Sequence, residues 1–348
     1  MPVTLKDVAR RAGVSHITAS RAFSNPHLVA QGTRQRVLQA ARELGYAPDL
    51  VARGLVRRQS PIIGMVVMDL SNPFITPIID AAQEVARQHG YLLVVSQSQR
   101  QLELERASVS QFRQMHAAGV MVMSAAPDFA HLEALRAQGT PVAVIARRWP
   151  GGDFVTVDDP AGGRLAAGHL LRLGHRRLGY VALDEPGNTA VQARLQGYCQ
   201  ALEEAGAPLE PAARIYAPGH GVEHGFQAAD AFVALTRRPS AMFVTSDRLA
   251  IGFVHRLLER GLRVPRDLAV VGYDDICYSE FLEVPLTTVA VPMYEIGRLT
   301  AEILCDQIEG RRSGPEPRQV SLPPQLVVRR SCGAPPTRAL NPGEQAAP

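Results

Sequence analysis

A chain of 348 residues that is 46% apolar and 20% charged holds core material for two or three domains, which excludes a disordered or low-complexity polymer. It has no run of about eighteen apolar residues to span a membrane, and Cys199, Cys277, Cys305 and Cys332 are too scattered for a metal pair or a disulfide framework. The net charge of +4 is unevenly placed: residues 1–60 hold ten Lys and Arg against three Asp and Glu, a head of +7 on a body of −3, and such a head points to a polyanion.

No charged segment followed by an apolar one opens the chain, so no secretory signal and a reducing cytoplasm are expected. The stretch TLKDVARRAGVSHITASRAF, from Thr4 to Phe23, reads as two short helices about Gly13. Thr4 caps the first, with Asp7 in the capping-box position, and Ser15 caps the second. Val8, Ala12, Val14, Ala19 and Ala22 supply an inner face, with the small Ala9 at closest approach. Gly13 takes the turn at little steric cost. A third helix is expected from Thr33 to Leu44, with Val37, Leu38, Ala41 and Leu44 on one face. GYAP, from Gly45, stops it, and a basic stretch, DLVARGLVRRQSP, leads to Pro61.

After Pro61 the pattern changes to nearly continuous apolar runs: IIGMVVMDL, YLLVVSQS, GVMVMSA, PVAVIA, LGYVALD, AMFVTSD and LAVVGYDD. Such runs mark strands buried on both faces, and the helical segments between them imply parallel sheets. A restart near Val155 suggests two doubly wound lobes. LTTVAVPMYEIGRLTAEILCDQI is expected to cross back from the second lobe to the first, and the Pro- and Ala-rich tail, 331–348, is expected to be disordered.

The second helix turns His16, Ile17, Thr18, Ser20 and Arg21 outward, as a recognition helix in a major groove requires. Arg21 suits guanine O6 and N7, His16 an acceptor, and Ile17 a thymine methyl. Ser15, Thr18, Ser20 and Thr33 suit phosphates. Position, pattern and the basic head together favour DNA binding over a plain helical hairpin. An enzyme is not expected: there is no G-x-S-x-G, no P-loop and no G-x-G-x-x-G after a strand. His169, His175 and His255 have no ligand-like spacing, and neither metal nor cofactor is expected.

The same segment, with TRQRVLQAARELGYAPDLVARGL and, further on, VTVDDPAGGRLAAGHLLRLGHRRLGYV, FVTSDRLAIGF, LRVPRDLAVVGYDD and LVVRRS, resembles the lactose-repressor/galactose-repressor family of bacterial transcription regulators, from about Val3 to Ser331. The resemblance implies an all-α helix-turn-helix headpiece (1–47) and a hinge (48–60). A core of two doubly wound parallel-sheet α/β lobes, periplasmic-binding-protein-like, follows (61–330). Its N-lobe takes about 61–160 plus 292–320, and its C-lobe about 161–291 plus 321–330. It further implies double-stranded, pseudo-palindromic operator DNA as partner, a homodimer, and a sugar-like small-molecule effector that controls operator affinity. The expected DNA-contacting set is Leu5, Ser15, His16, Ile17, Thr18, Ser20, Arg21, Thr33, Tyr46, Ala52 and Leu55. Leu55 matches a leucine wedge that opens a base step, and Gly54 weakens the hinge helix. The tail has only Leu340 and no leucine heptad, so no tetramer is expected.

Matching motifs places Asn72, Phe74, Arg147, Asn188, Arg194, His220, Ser246, Asp247 and Asp274 at an interlobe cleft, near the carboxyl ends of strands. Asp274 accepts ligand hydroxyls, and Phe74 stacks on an apolar ligand face or joins the lobe core. Asp247 either reaches ligand or bonds backbone amides at its helix start. Arg194 has no acid nearby in sequence and so calls for an anionic or polyhydroxyl partner. Where relatives carry an Asp after the strand PVAVIA, this chain has Ala146 and then Arg147. That exchange tilts the expected effector toward a sugar acid or sugar phosphate, with a neutral sugar or nucleobase as the alternative and either induction or corepression open.

Overall fold

The computed structural model describes residues 3–24, 28–46, 60–185, 187–312 and 314–335. The chain divides into two units, residues 1–61 and 62–348. In the first, three helices, α1 (Leu5–Ala12), α2 (His16–Ser24) and α3 (Gln31–Leu44), share one small core. Asp7 closes α1 by accepting the Thr4 backbone N–H at 3.1 Å and the Thr4 hydroxyl at 2.6 Å. Gly13, at φ 66°, ends it in the left-handed conformation the turn needs. Val8, Ala9, Ala12, Ala19, Ala22, Val37, Ala40 and Ala41 are buried. Complete burial of Val8 and Val37 contributes about 1.5–3 kcal/mol each, and the alanines let the helices approach closely. α3 starts two residues before the expected Thr33. Its N-cap is Ala30, which supplies no capping side chain, so no sequence signal marks that boundary.

The second unit carries two six-stranded sheets. The first orders β11 (Gln319–Leu322), β5 (Asp153–Val157), β4 (Val142–Ile145), β3 (Ala117–Val122), β1 (Ser60–Val67) and β2 (Leu92–Gln97). The second orders β12 (Gln325–Val327), β10 (Thr287–Ala290), β9 (Ala269–Asp274), β8 (Ala241–Val244), β6 (Leu178–Leu183) and β7 (Arg214–Ala217). Pairing is parallel from β1 to β2 and from β3 through β4 and β5 to β11. In the second sheet it is parallel throughout except for the antiparallel β10–β12 edge. Every residue of β3, β4, β6, β8 and β9 is buried, as continuous apolar runs under two helical layers require.

The helices of the first lobe are α4 (Thr76–Gln88), α5 (Leu102–Gln114) and α6 (Ala130–Ala137). Those of the second are α7 (Asp159–Arg172), α8 (Thr189–Glu204), α9 (Val222–Val233) and α10 (Asp247–Glu259). The chain passes between lobes after β5, after β10 and between β11 and β12. After β10, α11 (Met293–Ile308) returns to pack on α4 and on β3, β4 and β5, as LTTVAVPMYEIG suggested.

Two expectations need correction. Val155 does not restart the fold: it lies in β5, paired with both β4 and β11 of the first sheet, and the change of lobe comes at Asp159. β5 reads as a restart only because the chain then leaves for the other sheet. The tail is also anchored past Arg330. Ser331 is buried; its hydroxyl donates to the Val270 carbonyl at 2.7 Å and accepts the Thr287 N–H at 2.8 Å, and Cys332 is buried beside it.

One close approach sets up the cleft. A Cβ on Gly163 of α7 would stand 2.0 Å from the Arg194 carbonyl of α8, and one on Gly197 of α8 would stand 2.0 Å from the Pro160 carbonyl. With hydrogens at both positions the helices touch backbone to backbone. That contact brings Arg194 to the first residue of α7.

Candidate functional site

The headpiece presents α2 as expected. His16 and Arg21 are exposed, Ile17 is 63% exposed, and Thr18 and Ser20 are half-buried. Ser15 caps the helix: its Oγ accepts the Thr18 N–H at 3.1 Å and lies 2.8 Å from the Thr18 hydroxyl. Thr33 is half-buried in the first turn of α3. Leu5 and Tyr46 turn partly inward: Leu5 packs on the headpiece core, and the Tyr46 ring lies 5.9 Å from that of Phe23. Ala52 and Leu55, with the rest of the hinge, lie outside the described residues. The face is thus apolar at Ile17, cationic at Arg21 and rimmed by hydroxyls, a surface that fits base edges with phosphates alongside.

In the core, a cavity of about 230 Å³ opens between the carboxyl ends of strands of both lobes. Asn72, Phe74, Arg147, Asn188, Arg194, His220, Ser246 and Asp274 line it. Asn72 accepts the Phe74 N–H at 3.2 Å and so fixes that ring at the cavity wall, where it also packs on the lobe core. Asn188 and Ser246 are N-caps of α8 and α10, accepting N–H groups of Val191 and Leu249. Asp274 is 7% exposed, at φ 117°, and its carboxylate has no side-chain partner among the described residues. Burial raises its pKa well above the usual carboxylate range, against the pull of Arg194.

Asp247 is not a cleft residue. It is fully buried, and its carboxylate accepts the Ser279 hydroxyl at 2.6 Å, the Thr288 hydroxyl at 2.7 Å and the Ile276 N–H at 3.1 Å. The side chain points from α10 into its own lobe, where it staples the segment after β9. Burial, outweighing these hydrogen bonds, raises its pKa to about 6.

Arg194 has the partner its sequence neighbourhood lacks. Its Nε donates to Asp159 at 2.7 Å, its Nη1 to the Thr245 carbonyl at 2.7 Å, and its guanidinium lies 3.7 Å from the Tyr273 ring centroid. Tyr273 donates to the same carboxylate at 3.0 Å. Burial alone would lower the Arg194 pKa; Asp159 reverses this and holds the charge firmly in place. Arg147 donates from one Nη to the carbonyls of Ser124 and Ala126 and stands 4.8 Å over Phe129. Those carbonyls are themselves fixed from behind: buried Glu105 accepts from Ser124 Oγ at 2.5 Å and from the Ala125 N–H at 3.1 Å, with His131 Nε2 at 2.8 Å.

Sequence reasoning missed Arg100, Asp159, Glu185 and Arg248, all at the cavity. Asp159 and Glu185 carried one usable signal, an acid two residues past the end of β5 and of β6; Arg100 and Arg248 sit in a loop and a helix start with no pattern to mark them.

Comparison with known proteins decides the family. Residues 4–49 match the model of bacterial regulatory proteins of the lacI family, and residues 167–332 match a periplasmic binding protein-like domain. The chain is 36% identical over 342 residues to the HTH-type transcriptional repressor CytR of Escherichia coli (strain K12), covering 97% of each. It belongs to the LacI family. The lac repressor dimer bound to operator and the anti-inducer ONPF aligns over 96% of this chain and 100% of that one, with 29% identity and a TM-score of 0.84. The regulator CelR in complex with cellobiose aligns over 94% and 99%, with 29% identity and a TM-score of 0.72. As a LacI-family regulator the chain is a DNA-binding transcriptional repressor with an effector-binding core, and not an enzyme.

Proposed function

We propose that this repressor acts as a homodimer on a pseudo-palindromic operator and that a neutral, hydroxyl-bearing ring compound, a sugar or a nucleoside, sets its operator affinity from the cleft. The observation that carries the effector class is the charge match around the cavity. Arg194 pairs with Asp159, Arg248 pairs with Asp69 at 2.7 Å, Arg100 faces Glu185 at 3.9 Å, and Arg147 is held by backbone carbonyls. The expectation of an acidic effector rested on Arg147 standing where relatives carry an Asp, together with Arg194 lacking an acid nearby in sequence; Asp159 supplies that acid, and Arg147 is occupied by backbone carbonyls. An added anion would find Arg100, Arg194 and Arg248 already facing carboxylates, whereas a polyol brings hydroxyls that can donate to and accept from the Asp274 carboxyl. The cellobiose of the CelR complex is likewise a neutral sugar.

The outer face of α2, with Arg21 and Ile17, supports groove reading. Tyr278 and Phe281, 57% and 77% exposed and one turn apart, support pairing with a second copy. The effector controls the operator only by preferring one lobe arrangement to the other.

The test is a thermal-shift panel on the full chain with ribose, cellobiose, cytidine, adenosine, glucuronate and ribose 5-phosphate, each hit then added to a gel shift on the chain's own upstream DNA. A neutral compound is expected both to raise the melting temperature and to change operator affinity. Stabilisation by the acids alone would reject the neutral class.

A further inference from the structure

Two ion pairs join the lobes beside the cavity, and each of their arginines stands where local physics disfavours it. Arg248 is the second residue of α10, at the positive end of the helix dipole, where a cation is unwelcome. Its Nη1 donates to Asp69 Oδ2 at 2.7 Å, from the second lobe to the loop after β1 in the first. Asp69 is aimed to receive it, since Oδ1 accepts both the Ser71 N–H at 2.9 Å and the Ser71 hydroxyl at 2.7 Å. The two side chains are 19% and 26% exposed, so water screens the pair less than a surface bridge.

Arg100 follows β2 of the first lobe in the left-handed region, at φ 59°, directly after Gln99 at φ 50°. Two successive residues with side chains in that region are strained. The conformation brings the guanidinium 3.9 Å from Glu185, which follows β6 of the second lobe. Glu185 is held from its own side by the Asn188 amide at 2.9 Å and by His220 at 3.4 Å. Arg100 also donates to Met68 Sδ of its own lobe at 3.5 Å, yet a dipole conflict at Arg248 and a backbone strain at Arg100 each accompany an arginine that reaches a carboxylate across the same gap.

We propose that Asp69–Arg248, backed by Arg100–Glu185, is a latch that closes the cleft with the chain's own charges, so that access to the cavity requires these pairs to part. It sets how readily the cleft admits a ligand, whatever that ligand's class.

The test reads cleft access directly in the full-length, effector-free protein. Cys277, which is exposed, is replaced by Ser, and Ala125 of the cavity wall by Cys. Alkylation of the new thiol is followed by peptide mass spectrometry. Asp69→Asn and Arg248→Gln are each expected to speed labelling roughly fivefold or more, and the exchanged pair Asp69→Arg with Arg248→Asp to restore a slow rate. Raising salt to about 1 M, where the Debye length is about 3 Å, should speed labelling of the protein with its latch intact, which gives an answer even if a variant folds poorly. Unchanged labelling in the single variants and across salt, or an exchanged pair as fast as the singles, overturns the latch. Neither effector nor operator enters the experiment, so its failure leaves the proposed function standing.

Discussion

Asp159→Asn isolates the interaction on which the effector class depends. The carboxylate and the Arg194 guanidinium are 9% and 12% exposed and meet at 2.7 Å. At an effective dielectric of about 20, unit charges about 4 Å apart attract by about 4 kcal/mol before desolvation. Removing one member of a buried pair costs about 3–5 kcal/mol, because the survivor stays buried and unpaired. Here the Thr245 carbonyl and the Tyr273 face still hold Arg194, and the asparagine oxygen still accepts, so about 3 kcal/mol is expected. Urea unfolding of the full chain should show a lower midpoint with an unchanged slope. The same variant should gain affinity for glucuronate, whose carboxylate supplies the charge that was removed. A variant as stable as the parent, or one that still rejects the acid, would refute both the pairing argument and the neutral effector inferred from it.

Arg21→Ala should weaken operator binding by about 1–3 kcal/mol and relax one operator position, read by gel shift on single-base operator variants; uniform weakening would make Arg21 a phosphate contact instead. Burial raises Asp247 to about 6 from an ordinary 3.8, so its contribution to stability is full below about pH 4 and lost as pH rises to about 6. Asp247→Asn should remove that downward slope, of up to about 3 kcal/mol, from stability measured against pH. Glu185, lowered to about 2 chiefly by the His220 hydrogen bond, acts in the opposite sense: its contribution is present above about pH 4.5 and lost toward pH 2, so the two windows separate. Phe281→Asp should shift the chain to monomers in sedimentation velocity, and an unchanged sedimentation coefficient would place the dimer face elsewhere.

The sequence made the headpiece readable because its signals are local. Thr4 with Asp7, Ser15 before α2 and Gly13 in the turn each act within four residues. The strands were readable for a related reason: a strand buried on both faces must be apolar along its whole length, as GVMVMSA and AMFVTSD are. Pairing across long separations left no such mark. Arg194 looked unpartnered because Asp159 lies 35 residues away and arrives only through the contact of α7 with α8. Asp247 stood with the cleft residues because it ends FVTSD beside Ser246, with backbone amides as the open alternative, and only the packed lobe shows that its side chain turns the other way. The anchoring of Ser331 depends on Val270 and Thr287, so composition could not separate it from the Pro-rich residues that follow.

The threefold passage of the chain between lobes has a consequence for synthesis. β11 and β12, each the outer strand of its sheet, are among the last described residues to leave the ribosome. Until they emerge, β5 and β10 present bare hydrogen-bonding edges in both lobes at once, the condition in which nascent chains pair wrongly with one another. Neither half of the core can be finished ahead of the other, so a stop codon placed before Gln319 would leave two open sheets rather than one complete lobe.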